Sequence, residues 1–507
     1  MDRQTRTRRM KAACAGLLAI WGLACMGSPV GQTPSEGPET PWFLRVMNPM
    51  AADASAEGTQ VTEGNAASQA SADPVNQPSQ TPDSTALSPT GEPVVEDSED
   101  ETEELTPEQV AGTVQELATL EADTGLTLQA KLDAVFTRYK TLGAVVCVVE
   151  NGAVSHTYAY GELSPGGEPM RADTLFRVGS ISKMVTAMGV MRLVDDGLVT
   201  LDGDLSEALG VTVRNPRYPD TPITLRQLMS HTAGFRDSGY YTLALRGQVT
   251  PLTKLFSGNA AAFQFIAGVA PGTESKYSNF GGGLLGSLIE SVTGETVDEY
   301  MNRVIFAPLG IRAAYQSSLL PADAVVSDMF KMPARTLSAT VRDTATENWD
   351  PESAYTLTAG KLTLSAPDLA KLVIALCDGG VQGDVRVLSE SAALLMRTPQ
   401  NHTGSVECDS KRGLCMNILD GTVLEGRTLY GHGGKANGML CAAYFDPEDR
   451  TGVVMLTNGC NNRPMYQDVG MLSIAVLRLC YQELIDGRHV TADPWLVAEE
   501  PEATSAP

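Results

Sequence analysis

Two stretches far apart in the chain predict the same sheet. "AVVCVVENG" at 144–152 ends in an Asn-Gly turn signal and leads into "VSHTYAYGEL", a hairpin pattern. Some three hundred residues later, "GMLCAAYFDPEDRTGVVMLTNGC" at 438–460 reads as two apolar strands around a polar turn. A helix-like "LQAKLDAVFTRYK" precedes the first pair, and a terminal helix, "MLSIAVLRLCYQELI", follows the second. Order begins near "LTPEQVAGTVQELATLEAD", where Thr106 as cap and Pro107 in the first turn mark a helix start. From 180 to about 300 the pattern is helical. Helix and strands at both ends, with helices between, predict one sheet assembled from both ends of the domain and a helical insertion. No internal repeat is present.

The rest of the 507 residues are set apart by composition. The first 27 have a basic head and then an apolar run of about fifteen residues, short of the ~20 that span a bilayer. They read as an export signal or anchor, with Cys25 a candidate lipidation site. Residues 28–104 are rich in Ser, Thr, Pro and Ala and close with "EDSEDETEE". Such a segment buries too little apolar surface to offset the entropy of ordering, and reads as an acidic tether. The domain-sized remainder is 105–490, and 491–507 read as a disordered tail. An exported, surface-tethered protein is expected.

A net charge of -24 excludes a nucleic-acid partner, which needs a basic footprint, and leaves the N-terminal segment as the sole membrane contact. Of nine cysteines, two lie in the leader, so an odd number remains; Cys408 and Cys415, flanking "DSKRGL", are the expected pair. With no CxxC and no Cys/His cluster, neither a metal nor another cofactor is expected.

Chemistry is concentrated in "RVGSISKMVTA". If a helix starts at Ser180, Lys183 lies one turn on, on the same face, with the helix's positive end beneath the hydroxyl. Serine becomes a nucleophile when a base takes its proton. Taken alone, S-x-x-K is common by chance and reads first as a helix cap ahead of an exposed lysine. Its company changes that. Tyr277-Ser278-Asn279 stands just before an apolar helix, and His432-Gly433-Gly434 just before an apolar strand. S-x-x-K, Y-x-N and H-x-G in this order, with "LVDDGLVTLDGDLSEAL", "ITLRQLMSHTAGF", "IFAPLGI" and "TAGKLTLSAPDLAKLVIAL", resemble the penicillin-recognising serine hydrolases, in the class C β-lactamase and DD-peptidase branch. The resemblance runs over about 126–485.

That resemblance implies an α/β (α+β) fold of the β-lactamase/transpeptidase type: an antiparallel sheet flanked by helices, plus an all-helical lobe. It implies Ser180 as the acylated nucleophile, Lys183 as base or relay, and Tyr277 as second proton carrier. A phenol does this work where cations favour the phenolate, here Lys183 and His432. Asn279, His432 and Gly434 would bind substrate, and the backbone N–H groups of Ser180 and Lys435 would form the oxyanion hole. The chain departs from the Lys-Thr-Gly of efficient β-lactamases: His432 is mostly neutral by its ordinary pKa of about 6.5, and Gly433 has no hydroxyl. Carboxylate recognition is expected to be weaker for it. The expected activity is DD-peptidase-like, on cell-wall peptides or β-lactams. The alternatives are an esterase or D-amino-acid amidase of the same fold, or a sensor that stays acylated. Substrates are thus small peptides, β-lactams or esters, with the cell wall as a partner.

Other features read as structural. His231 belongs to a loop motif, and His156, His402 and His489 have no acidic or Cys partners at ligand spacing. "GGGLLG" is a packing feature without the Lys-Ser/Thr of a phosphate loop. A G-x-S-x-G elbow is missing, which disfavours an α/β-hydrolase lipase.

Overall fold

The computed structural model describes residues 125–342, 351–400, 411–421, 423–424, 426–461, 465–466 and 469–486. The leader, the tether, the helix start at Thr106, Cys408 and the C-terminal tail lie outside them.

Helix α1, Leu128–Arg138, is capped by the Thr127 hydroxyl, which accepts from Ala130 N. Strands β1, Gly143–Glu150, and β2, Ala153–Gly161, form the expected hairpin, with Asn151 and Gly152 both at positive φ in its turn. Short β3, Leu175–Arg177, leads into α2, Ile181–Asp195. From 181 to 306 the regular elements are helices, the longest after α2 being α3, Asn279–Thr293. Strand β4, Thr363–Ser365, pairs with β3 and runs into α4, Ala366–Cys377. The chain then supplies β5, Lys411–Arg412, β6, Asn417–Asp420, β7, Thr428–Ala436, β8, Met439–Asp446, and β9, Thr451–Thr457, before α5, Met471–Cys480.

The main sheet has the order β2-β1-β9-β8-β7-β6-β5, antiparallel throughout. Its central seam joins β1 to β9, with Ala144 opposite Thr457 and Val149 opposite Gly452. One sheet does form from both ends of the domain, as the strand patterns predict. The continuous apolar runs have a geometric cause, because alternate strand residues face opposite sides and both sides are covered. Val145, Cys147 and Val149 join Cys441, Ala443 and Val454 in a core shared with α2, α3 and α4. Ala144, Val146 and Val148 join Ala442, Tyr444 and Val453 in a second core under α1 and α5.

The glycines of α3 bring backbone and side chains together. A Cβ on Gly282 would lie 2.6 Å from Lys183 Cδ, and one on Gly283 1.8 Å from Tyr355 O. This is the packing role expected of "GGGLLG". Cys415 is a buried free thiol, as are Cys147, Cys377, Cys441, Cys460 and Cys480. Burial pushes the Cys415 thiol up to about 12, which makes it a poor nucleophile.

A buried ion pair that sequence patterning did not reveal ties the ends of the second core together. Lys131 Nζ on α1 donates to Glu483 Oε1, just beyond α5, at 2.5 Å, with side-chain exposures of 0% and 2%. Lys131→Met leaves the Glu483 carboxylate buried without its cation, and is expected to cost about 3 kcal/mol of unfolding free energy in urea titrations. Adding Glu483→Leu should restore most of that loss. A single variant within about 0.5 kcal/mol of the parent would show that the pair adds nothing.

Candidate active site

Ser180 stands immediately before α2 with φ -64° and ψ -12°, and its side chain makes no capping hydrogen bond. The ordinary cap reading of this serine therefore does not describe the structure. Its hydroxyl is instead 3.0 Å from Lys183 Nζ, one turn along the helix. Lys183 is fully buried, and Nζ also donates to Asn279 Oδ1 at 2.8 Å and Ala359 O at 2.6 Å. Ser180 Oγ, Asn279 Oδ1 and Ala359 O surround Nζ and fix the amine under the serine.

Asn279 opens α3. Its Oδ1 is held by Lys183, and its Nδ2 donates to Asp237 Oδ2 at 2.8 Å. The Ser278 hydroxyl caps α3 by accepting from Gly281 N, and donates to Asp237 Oδ1. Tyr277 is 39% exposed. Its ring lies 4.4 Å from that of His231 and 6.4 Å from that of His432. Lys183 Nζ is 5.1 Å from the ring centroid and Arg412 Cζ 5.4 Å.

Strand β7 closes the other side. A Cβ on Gly434 would fall 2.0 Å from Val178 O, and one on Gly179 3.0 Å from Lys435 N, so only glycine at both lets β7 lie against the turn that carries Ser180. A cleft of about 280 Å³ results, with Ser180, Tyr277, Asn279, Arg412, His432 and Lys435 among its lining residues. Every residue expected from the motifs, Gly434 included, meets at this cleft, with Lys183 beneath it.

The electrostatics correct one expectation. His432 is buried, and its Nδ1–H donates to Gly433 O at 2.6 Å, leaving Nε2 as an acceptor with no partner among the described residues. Burial is the largest cause that pushes its pKa down, to about 3; the Lys183 and Arg412 charges add to it, and the Gly433 bond partly offsets it. The second cation beside Tyr277 is therefore Arg412, and His432 is neutral. His231 is buried too and held well below its usual range, first by burial and then by the Arg412 and Lys183 charges. Its Nδ1 accepts from Ser278 N at 3.4 Å, so it supports Tyr277 from behind.

A pH dependence follows. The unfolded imidazole protonates near its ordinary pKa of about 6.5, and the folded one near 3. Stability owed to neutral His432 is whole above the higher value and is lost as pH falls towards the lower one. His432 should keep its neutral NMR signature at about pH 5, and kcat/KM should show no limb from it near about pH 6.5. A His432 titration near 6.5 would contradict the buried, neutral assignment.

Sequence reasoning missed two residues of this site. Arg412 falls inside the stretch read as a turn between Cys408 and Cys415, and nothing local marks it. It is 5% exposed, and its Nη1 donates to Asn417 Oδ1 at 2.8 Å. Asp237 lies two residues past "SHTAGF", a loop read as structural. Among the described residues, no group of three or more His, Cys, Asp or Glu side chains is placed to hold a metal, and no helix is long and apolar enough to cross a membrane.

Known proteins match this arrangement. The profile of the Beta-lactamase family matches residues 116–472. Penicillin-binding protein 4 of Amycolatopsis lactamdurans is 30% identical over 340 residues, 65% of this chain and 84% of that protein. Esterase EstB of Burkholderia gladioli is 31% identical over 209 residues, 37% of this chain and about half (51%) of the esterase. Among solved structures, the octameric penicillin-binding protein homologue from Pyrococcus abyssi superposes with a TM-score of 0.57 at 23% identity, covering 71% of this chain and 77% of that one. The chain belongs to the Beta-lactamase family, whose serine-hydrolase fold is shared by penicillin-binding proteins, DD-carboxypeptidases, esterases and D-amino-acid amidases.

Proposed function

We propose that the protein is a DD-peptidase-like serine hydrolase that acylates Ser180 with the penultimate residue of a peptide and releases the C-terminal one. The observation that carries this reading is Arg412, a guanidinium on the cleft wall beside Tyr277. It supplies the fixed cation for a substrate carboxylate that neutral His432 lacks, in the fork geometry that suits a carboxylate. The similarity to Penicillin-binding protein 4 over most of that protein's length supports the same class.

In this reading the Lys183 amine, 3.0 Å from Ser180 Oγ, takes the hydroxyl proton as the oxygen attacks the scissile carbonyl. The backbone N–H groups of Ser180 and Lys435 stabilise the oxyanion. Tyr277 passes a proton to the leaving amine as the C–N bond breaks, leaving an ester on Ser180. It then takes a proton from the water that hydrolyses that ester, and Lys183 returns its proton to Ser180 Oγ as the ester C–O bond breaks. Asn279 is held with one N–H left for the substrate's acyl amide.

The test is intact mass after incubation with benzylpenicillin, with Ser180→Ala as control and nitrocefin turnover in parallel. A lasting adduct on the parent alone supports a peptidase, or a sensor if peptides are not turned over. Turnover without an adduct makes it a β-lactamase. Neither result, with Ser180-dependent cleavage of simple esters, would replace the proposal by the esterase reading that EstB represents.

The same proposal places the enzyme outside the cytoplasm: 1–27 as signal or anchor, 28–104 as a tether reaching to the wall, 105–490 as the hydrolase, and 491–507 as a tail. The basic head, short apolar run and Ser/Thr/Pro-rich acidic segment support it. Mass spectrometry of the mature N-terminus tests it. A chain starting at a lipid-modified Cys25 or just beyond agrees; an intact Met1 in a cytoplasmic fraction does not.

A further inference from the structure

The cleft continues past the residues that do the chemistry. Strand β6 pairs with β7 only as far as Gly431, which stands opposite Asn417. Alternate residues of β7 face opposite sides of the sheet. His432 and Gly434 stand opposite Ala443 and Cys441, in the core shared with α2, on the side of Ser180. Gly431 and Gly433 stand opposite Tyr444 and Ala442, in the core under α5, and have no side chains to fill that side. The lining of the cleft extends there to Leu440, Met465, Gly470 and Ser473.

This end of the cleft favours an anion. Helix α5 has 10 residues and begins after Gly470, which has no side chain to accept from the N–H groups of the first turn. That turn contains no acid. Ser473, within it, is 1% exposed, and its hydroxyl has no hydrogen-bond partner among the described residues. Arg412 belongs to the same end. Its Nη1 donates to Asn417 Oδ1, and Asn417 Nδ2 donates to the Tyr444 hydroxyl, in the core under α5. Arg412 and Lys435 line the cleft, and its described lining residues include no Asp or Glu.

We propose that the start of α5, with Gly470 and the Ser473 hydroxyl, is a second anion subsite on the leaving-group side, selecting peptides whose C-terminal residue has an acidic side chain. This rests on the reading of Ser180 as the acylated residue and of Arg412 as the holder of the terminal carboxylate. With that carboxylate on Arg412, the side chain of the same residue extends past Gly433 towards α5. A carboxylate there accepts from the Ser473 hydroxyl and from first-turn N–H groups, and the positive end of the helix favours its charge. The glycine that denies β7 a hydroxyl is then the opening through which this side chain passes.

Kinetics on the full chain compare Nα,Nε-diacetyl-L-lysyl-D-alanyl peptides that end in D-aspartate, D-asparagine or D-alanine. D-Asparagine matches D-aspartate in size and differs in charge. The parent should favour D-aspartate over D-asparagine by about fivefold in kcat/KM. Ser473→Asp, which puts a carboxylate in the first turn of α5, should remove or reverse that ratio, with thermal melting measured beside it. Ser473→Ala, which removes only the hydroxyl, should lower the ratio by about twofold. No preference for D-aspartate in the parent, or a ratio that both variants leave unchanged, overturns the subsite. An equal fall on all three peptides would mean that α5 shares the terminal carboxylate with Arg412, which also overturns it. If none of the peptides is turned over, the acyl-transfer reading fails for them. The subsite is then read by calorimetry on Ser180→Ala, where equal affinity for the D-aspartate and D-asparagine peptides, or binding of neither, overturns it.

Discussion

Lys183→Met is expected to slow acylation of Ser180 by benzylpenicillin by about a thousandfold, within the range that one positioned general base supplies. The amine is 3.0 Å from Ser180 Oγ and is held there by Asn279 Oδ1 and Ala359 O. Methionine keeps the volume between α2 and α3, where Gly282 leaves room for this side chain, but it offers no proton acceptor of comparable basicity. It also leaves the Ala359 carbonyl and the Asn279 amide oxygen without their donor, so thermal melting must be measured beside the acylation rate. A variant that melts normally yet acylates within about tenfold of the parent would remove Lys183 from the proton path.

The second large effect is expected at Arg412. Arg412→Gln should raise KM by about thirtyfold for a peptide ending in a free carboxylate, the size of a charge-assisted hydrogen bond lost in a partly desolvated cleft. Hydrolysis of an ester without a carboxylate should lose far less. The comparison matters because Arg412 also lies 5.4 Å from the Tyr277 ring and bonds Asn417, so some loss of kcat is expected on both substrates. An equal fall on both would reduce Arg412 to a support for Tyr277 and would take away the observation on which the peptidase reading stands.

Much of the architecture could be read from local pattern. The apolar runs at 144–149 and 439–445 are strands covered on both faces, and their pairing through β9 follows from the helical stretch between them. Ser180, Lys183, Tyr277, Asn279 and His432 were legible because each sits at a fixed offset from an element start. Lys131 and Glu483 were not: apart they look like solvated charges, and only the packing of α1 near the end of α5 makes them a buried pair.

By itself the sequence determined which elements form, which family they belong to and where the motif residues stand, since these depend on periodicity and on offsets within single segments. Tertiary structure alone decided the charges. Whether His432 is a cation depends on its burial and on the charges of Lys183, from a helix some 250 residues earlier in the chain, and Arg412, from another strand of the same sheet. Arg412 and Asp237 enter the site because β5 and the loop before Gly239 reach it through space. Electrostatics depends on distance and on exclusion of water, and neither is written in the order of residues.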